Sequence, residues 1–288
     1  MTDGVLVVDK PTGMTSHDVV DEIRRRFKTK KVGHAGTLDP DATGVLLIGV
    51  GRATRFLAYA QDAPKRYEAT ARFGSSTTTQ DASGEVIEQR PCTFSVDELA
   101  RALEKFTGDI EQIPPMVSAV RVGGERLHVK ARRGEVVERT ARSVTIYELV
   151  LRDFRPGDEP EADLEVRCSS GTYVRTLIHD LGEALGCGAH MRRLRRIETG
   201  GFSIADATPL EDIEAGHARP LTDAVRVLPA VDLSDEYARD VEHGRPLPVV
   251  VAPDVDDGDL VALRAQGELV AVYRRAGDHL AADRVVPR

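Results

Sequence analysis

The residue best placed to do chemistry is Asp39, in the run Gly33-His34-Ala35-Gly36-Thr37-Leu38-Asp39-Pro40-Asp41-Ala42-Thr43-Gly44-Val45-Leu46. Pro40 fixes its own φ and biases Asp39 toward extended or turn geometry. Gly33, Gly36 and Gly44 break regular structure and let backbone come close to a ligand. The following Val45-Leu46-Leu47-Ile48 is an apolar run bounded by glycines and reads as a buried strand. The carboxylate thus stands on a stiff turn leading into the core, where it can be aimed as a nucleophile or a base. On those two residues alone, an Asp-Pro pair is also what any ordinary turn contains. Arg175 and Tyr67 are the other two candidates. Arg175 falls in the first turn of a predicted helix, where the helix dipole disfavours a cation and an acidic partner is expected. Tyr67 lies in the alternating stretch Lys65-Arg66-Tyr67-Glu68-Ala69-Thr70-Ala71-Arg72-Phe73, where pattern alone makes it a core tyrosine.

These residues need a scaffold, and the chain supplies one in order. Val5-Leu6-Val7-Val8 reads as a first strand, followed by a turn at Pro11 and Gly13. Thr15 or Ser16 can cap a helix with Val20, Ile23 and Phe27 on its apolar face, and this helix delivers the chain to the 33–46 loop. Residues 74–84, rich in Ser, Thr and Asp, read as loop. Ser95-Val96-Asp97-Glu98 is a capping box for a helix with Leu99, Leu103 and Phe106 inward, ended by Gly108. Strands are predicted at 144–149 and 164–168, and Gly171-Thr172 should open a helix burying Leu177, Ile178, Leu181 and Leu185. From Leu228-Pro229 onward, short alternating strands around glycine turns suggest a small β-barrel. The predicted class is α+β: a central mixed or antiparallel sheet flanked by helices and loops, in a domain over 1–228, with a second domain over 229–288.

The 288 residues carry 39 Lys and Arg against 47 Asp and Glu, a net charge of −8. Phosphate affinity depends on where the basic residues cluster rather than on the total. They cluster at Arg24-Arg25-Arg26, between Arg121 and Arg142, and at Arg192-Arg193 and Arg195-Arg196. The long basic segment within the insertion at about 109–142 is of a kind that is usually functional or disordered. Cys92, Cys168 and Cys187 fit neither a disulfide framework nor a zinc cluster. The amino terminus shows no secretory signal, and no apolar run is long enough to span a bilayer. The expectation is a cytoplasmic protein. With no P-loop, dinucleotide fingerprint or metal-ligand spacing, no cofactor and no metal are expected.

The run around Asp39 resembles the catalytic motif of the TruB-type tRNA pseudouridine synthases, which act at position 55 in the T loop of tRNA. Other words resemble further motifs of that family, in the same order: Asp9-Lys10-Pro11-Thr12-Gly13-Met14, Gly51-Arg52-Ala53-Thr54-Arg55, Lys65-Arg66-Tyr67-Glu68-Ala69, Gly171-Thr172-Tyr173-Val174-Arg175, and Gly186-Cys187-Gly188-Ala189-His190 through Leu194-Arg195-Arg196. Together they cover most of residues 4–202. The resemblance implies a pseudouridine synthase fold with a PUA-like RNA-binding domain at the carboxyl end. It implies an isomerase that breaks the N1–C1′ bond of a flipped-out uridine and joins C5 to C1′. Asp39 would be the essential acid group, acting at C1′ or as a base at the sugar, two routes the sequence does not separate. Arg175 would pair with Asp39, and Tyr67 would lie against the target uracil.

The resemblance also implies that His34 enters the T loop and stacks where the base had been, which would offset part of the unstacking penalty. Leu194 would wall the pocket. Tyr173, Lys10, Lys130 and Arg132 complete the expected RNA- and substrate-binding set, with a structural role beneath the active-site floor as the plainer assignment for Lys10. The basic insertion would fold over the T arm, mobile without RNA and ordered with it. The partner implied is the tRNA T arm alone, with the chain acting as a monomer and needing no protein partner. A tRNA-folding chaperone working on the elbow without chemistry is the rival from another class. A guide-RNA-dependent relative and a nucleoside hydrolase are further rivals: the long basic insertion disfavours the first, and the lack of a metal-binding aspartate cluster disfavours the second.

Overall fold

Seven consecutive residues of extended chain, Gly4–Lys10, begin the fold, all buried but Asp9. The structure is a computed structural model that describes residues 3–118, 121–122, 124–126, 133, 135 and 137–287. The chain divides into two compact units, one of residues 1–40, 44–63 and 199–288, the other of residues 41–43 and 64–198.

In the first unit, Gly4–Lys10 pairs antiparallel with Thr43–Val50 along its whole length, Gly4 opposite Val50 and Lys10 opposite Gly44. It pairs parallel with Thr208–Pro209, so the sheet is mixed. The strand Val32–Ala35 lies antiparallel on Thr43–Val50, with His34 opposite Ile48. His34 was expected in a loop and is instead on a strand, because the chain folds back as a hairpin whose connection shrinks to residues 36–42. The helix Ser16–Phe27 buries Val19, Val20 and Ile23, and Thr15 is its cap. The Thr15 hydroxyl accepts from the Asp18 N–H at 3.0 Å, and the Asp18 carboxylate accepts from the Thr15 N–H at 2.8 Å.

The same unit holds a five-stranded sheet in the order Ala230–Asp232, Leu260–Ala265, Glu268–Ala276, His279–Val285, Leu247–Pro248. The first pair is parallel and the rest antiparallel. The order does not close on itself, and the sheet curls as a half-barrel. Leu269 and Val272 share a buried cluster with Val5, Phe56 and Val225, so the last strands pack on the start of the chain. The expected boundary at 228–229 falls inside this unit, just ahead of Ala230.

In the second unit, five strands stand in the order Ala189–Thr199, Lys65–Phe73, Glu161–Cys168, Arg142–Arg155, Gly108–Gln112. The strand Glu161–Cys168 shows why it is a strand. Ala162, Leu164, Val166 and Cys168 are buried on one face, while Glu161, Asp163 and Glu165 line the other, at the two-residue period of a pleat. Those carboxylates meet arginines: Glu161 meets Arg72 and Arg192, Asp163 meets Arg155, and Glu165 meets Arg152 and Arg66. The helix Val96–Lys105 has the Ser95 capping box. The stretch 74–84, expected as loop, contains the short strand Ser75–Thr77 paired with Val86–Gln89. The next helix spans Val174–Ala184 and does not start at 171–172, because Gly171 sits at φ +82°, a left-handed conformation no α-helix accepts. No described helix is long and apolar enough to cross a membrane.

Candidate active site

Asp39 is half-buried at the centre of the hairpin connection, between the buried side chains of Leu38 and Ala42. Gly36 opens the connection and Gly44 lies just beyond it, at φ +83° and +100°, where a Cβ would strain the turn. The backbone on both sides of Asp39 is gripped. Ahead of it, the Leu38 N–H donates to the Ser16 hydroxyl at 2.8 Å, and that hydroxyl donates to the Leu38 carbonyl at 3.1 Å. Behind it, the Pro40 carbonyl accepts from the Gly13 N–H at 2.9 Å and from the Lys10 ammonium at 3.0 Å. Lys10 is fully buried, and its ammonium also donates to the carbonyls of Met14 at 2.6 Å and Pro11 at 2.8 Å. Its charge is satisfied on backbone inside the protein, which ties the turn at 11–14 to the Asp39 loop.

In the second unit, Arg175 is the second residue of the helix Val174–Ala184 and is 4% exposed. One arm of its guanidinium donates to the Asp81 carboxylate at 3.2 Å and the other to the Val117 carbonyl at 2.6 Å. Asp81 also accepts from the Thr79 hydroxyl at 2.6 Å and from the Ser83 N–H and hydroxyl at 3.0 and 2.5 Å. An acidic partner for this first-turn cation was expected, and in this unit Asp81 provides one. Sequence reasoning missed it, since a carboxylate among Ser and Thr residues looks like a solvent turn; the density of hydroxyls two residues either side was the available signal. Gln112, wholly buried at the end of its strand, was also missed. Its amide accepts from the Tyr173 N–H at 3.0 Å and donates to the Tyr173 carbonyl at 3.2 Å, fixing the cap of the Arg175 helix.

Of the other expected residues, Tyr67 is 6% exposed on Lys65–Phe73, opposite Val166. Tyr173 is half-buried, with the Arg142 and Arg175 guanidinium groups 4.5 and 5.8 Å from its ring centre. Leu194 is half-buried on Ala189–Thr199, the strand beside Lys65–Phe73. His34 is half-buried, on the same hairpin as Asp39. Asp39, His34 and Lys10 belong to the first unit, and Tyr67, Tyr173, Arg175 and Leu194 to the second. Lys130 and Arg132, with the rest of residues 127–132 of the insertion expected to order on RNA, lie outside the described residues.

Comparison with known proteins decides the family. The model of the TruB family pseudouridylate synthase N-terminal domain matches residues 24–174, and that of the tRNA pseudouridylate synthase B C-terminal domain matches residues 175–229. The chain belongs to the TruB family of pseudouridylate synthases. A tRNA pseudouridine synthase B of Thermobifida fusca is 46% identical over 281 residues, 94% of each chain. That of Symbiobacterium thermophilum is 51% identical over 245 residues, 84% of this chain and 82% of the relative. Among solved structures, a Cbf5–Nop10–Gar1 complex matches with a TM-score of 0.78 at 29% identity, covering 99% of this chain and 85% of the other. An H/ACA RNP bound to a substrate RNA containing 2′-deoxyuridine matches at 0.76 and 27%, covering 100% and 86%. The chain is thus an isomerase with the pseudouridine synthase fold, and the curled C-terminal sheet is consistent with the expected PUA-like domain.

Proposed function

We propose that this enzyme isomerises uridine 55 in the T loop of tRNA to pseudouridine, with Asp39 as the essential acid group. The uridine flips out of the loop, its N1–C1′ bond breaks, the uracil turns over, and C5 bonds to C1′, with C5 giving up its proton and N1 taking one so that the net change is an isomerisation. The exchange is redox-neutral and uses no water, so a single carboxylate suffices where ordinary glycosidases mostly need two. Arg175 holds the site's negative charge in its ionised form, and Tyr67 holds the uracil face. His34, Tyr173 and Leu194 contact the RNA or line the pocket, and the last sixty residues act as a PUA-like RNA-binding domain. The protein works alone in the cytoplasm.

The observation that carries this reading is the grip on the backbone either side of Asp39, a side chain inside the family's motif. Such a turn holds a carboxylate in place before substrate arrives. The relatives' shared name, tRNA pseudouridine synthase B, supports tRNA as the substrate. The test is Asp39→Asn, assayed by tritium release from 5-tritiated uridine in a tRNA transcript. Turnover should vanish while tRNA affinity stays within about tenfold, roughly 1.4 kcal/mol. Near-normal release by the variant defeats the reading, and mapping of the product to a uridine other than 55 defeats its choice of site.

A further inference from the structure

We propose that Ser16 is a positioning residue for Asp39, an inference that rests on Asp39 being the catalytic acid group. Ser16 is 2% exposed, and its hydroxyl serves both polar backbone groups of Leu38, the residue immediately before Asp39. The hydroxyl is not needed at the helix start, because Thr15 and Asp18 complete that cap themselves. A hydroxyl is the smallest group that donates and accepts at once, and Leu38 presents one N–H and one C=O. Ser16 therefore fixes the peptide planes on both sides of Leu38, and through them the direction in which Asp39 leaves the backbone. At 2% exposure the Ser16 hydroxyl is covered from solvent. It acts through the loop.

Removing the hydroxyl leaves the buried Leu38 N–H and C=O to find new partners, and the loop shifts to let them. A misplacement of about 1 Å at a reacting group is enough to lower a rate by on the order of a hundredfold. The experiment compares Ser16→Ala, Asp39→Asn and wild type in single-turnover pseudouridine formation on a tRNA transcript, with transcript affinity measured separately. The expected result for Ser16→Ala is a rate lowered roughly 10- to 100-fold with affinity within about twofold. Ser16→Thr, which restores the hydroxyl, should recover most of the rate. A residue that merely supported the fold would lower affinity and rate together.

Hydrogen exchange of the Leu38 amide gives a second readout that needs no variant to fold. In the wild type this amide should be strongly protected, and in Ser16→Ala it should lose protection while Ile48 keeps its own. Rapid exchange of Leu38 in the wild type overturns the inference, as does a wild-type rate in Ser16→Ala beside an inactive Asp39→Asn. An active Asp39→Asn instead removes the reading on which the inference rests.

Discussion

Asp81→Asn is the most informative change the second unit allows, because it keeps the shape of the carboxylate and exchanges one charged acceptor for a neutral N–H donor. Two of the partners of Asp81, the Ser83 N–H at 3.0 Å and the Arg175 guanidinium at 3.2 Å, are donors that cannot accept. An asparagine can turn its oxygen to one of them only by turning its amide N–H groups to the other. Either orientation therefore sets donor against donor. The Asp81 side chain is 14% exposed and that of Arg175 is 5% exposed, so water relieves little of the conflict. A hydrogen bond to a charged group contributes about 1.5–3 kcal/mol, and stripping the partner from a buried charge costs about 3–5. Arg175 keeps the Val117 carbonyl, so the expected loss is about 2–4 kcal/mol. Urea unfolding of Asp81→Asn, Arg175→Met and the double variant measures it, with a coupling energy of about 2 kcal/mol or more expected between the two sites. Turnover should fall as well, since the guanidinium loses the carboxylate that fixes one of its arms. An Asp81→Asn protein within about 0.5 kcal/mol of wild type, or strictly additive single changes, would refute this account of the pair.

Two further outcomes are expected. Gln112→Leu removes both hydrogen bonds to the Tyr173 backbone and should lower the thermal midpoint by about 5–10 °C, an unchanged midpoint counting against the bridge. Hydrogen bonds from Arg25 and then Arg26 hold Glu22 down at about 2, and those from Arg152 and then Arg66 hold Glu165 below its ordinary value. Arg155 does the same for Asp163. A depressed carboxylate binds fewer protons folded than unfolded, so its contribution is complete above the unfolded value and drains as pH falls toward the folded one. Thermal midpoints should accordingly be flat above about pH 5 and fall between pH 4.5 and 2, each exposed pair adding little by itself. An unchanged midpoint from pH 5 to pH 3 would contradict this.

The family and the position of Asp39 were legible because they are written in contiguous words, where a glycine, a proline and a carboxylate have meaning at fixed spacing. The strands were legible for the same local reason, as the alternation of Glu161–Cys168 between ion pairs and core shows. What sequence left open was every choice between neighbours that only a tertiary contact settles. Thr15 and Ser16 were equal candidates for one helix cap, and the fold gives Thr15 the cap and Ser16 the loop that carries Asp39. His34 was placed in a loop because glycines surround it, yet pairing with Ile48 makes it strand. Asp81 had only its neighbouring hydroxyls as a mark and Gln112 had none, since the groups they hold lie 94 and 61 residues away.

Within each unit the groups that hold the candidate residues also follow a rule of donor and acceptor supply. Proline has a carbonyl and no N–H, so Pro40 can be held only by donors, and it receives the Lys10 ammonium and the Gly13 N–H. Leu38 and Tyr173 each have both groups, and each receives a side chain that donates and accepts, the Ser16 hydroxyl and the Gln112 amide. Asp81 is acceptor-only and is met entirely by N–H and O–H groups. Each match consumes conformational freedom when the chain folds rather than when substrate binds, which is what a preorganised carboxylate requires. It follows that substitutions among these supporting residues should separate by type. Those that keep the donor and acceptor count, such as Ser16→Thr, should retain turnover, while those that keep only volume, such as Gln112→Leu, should not.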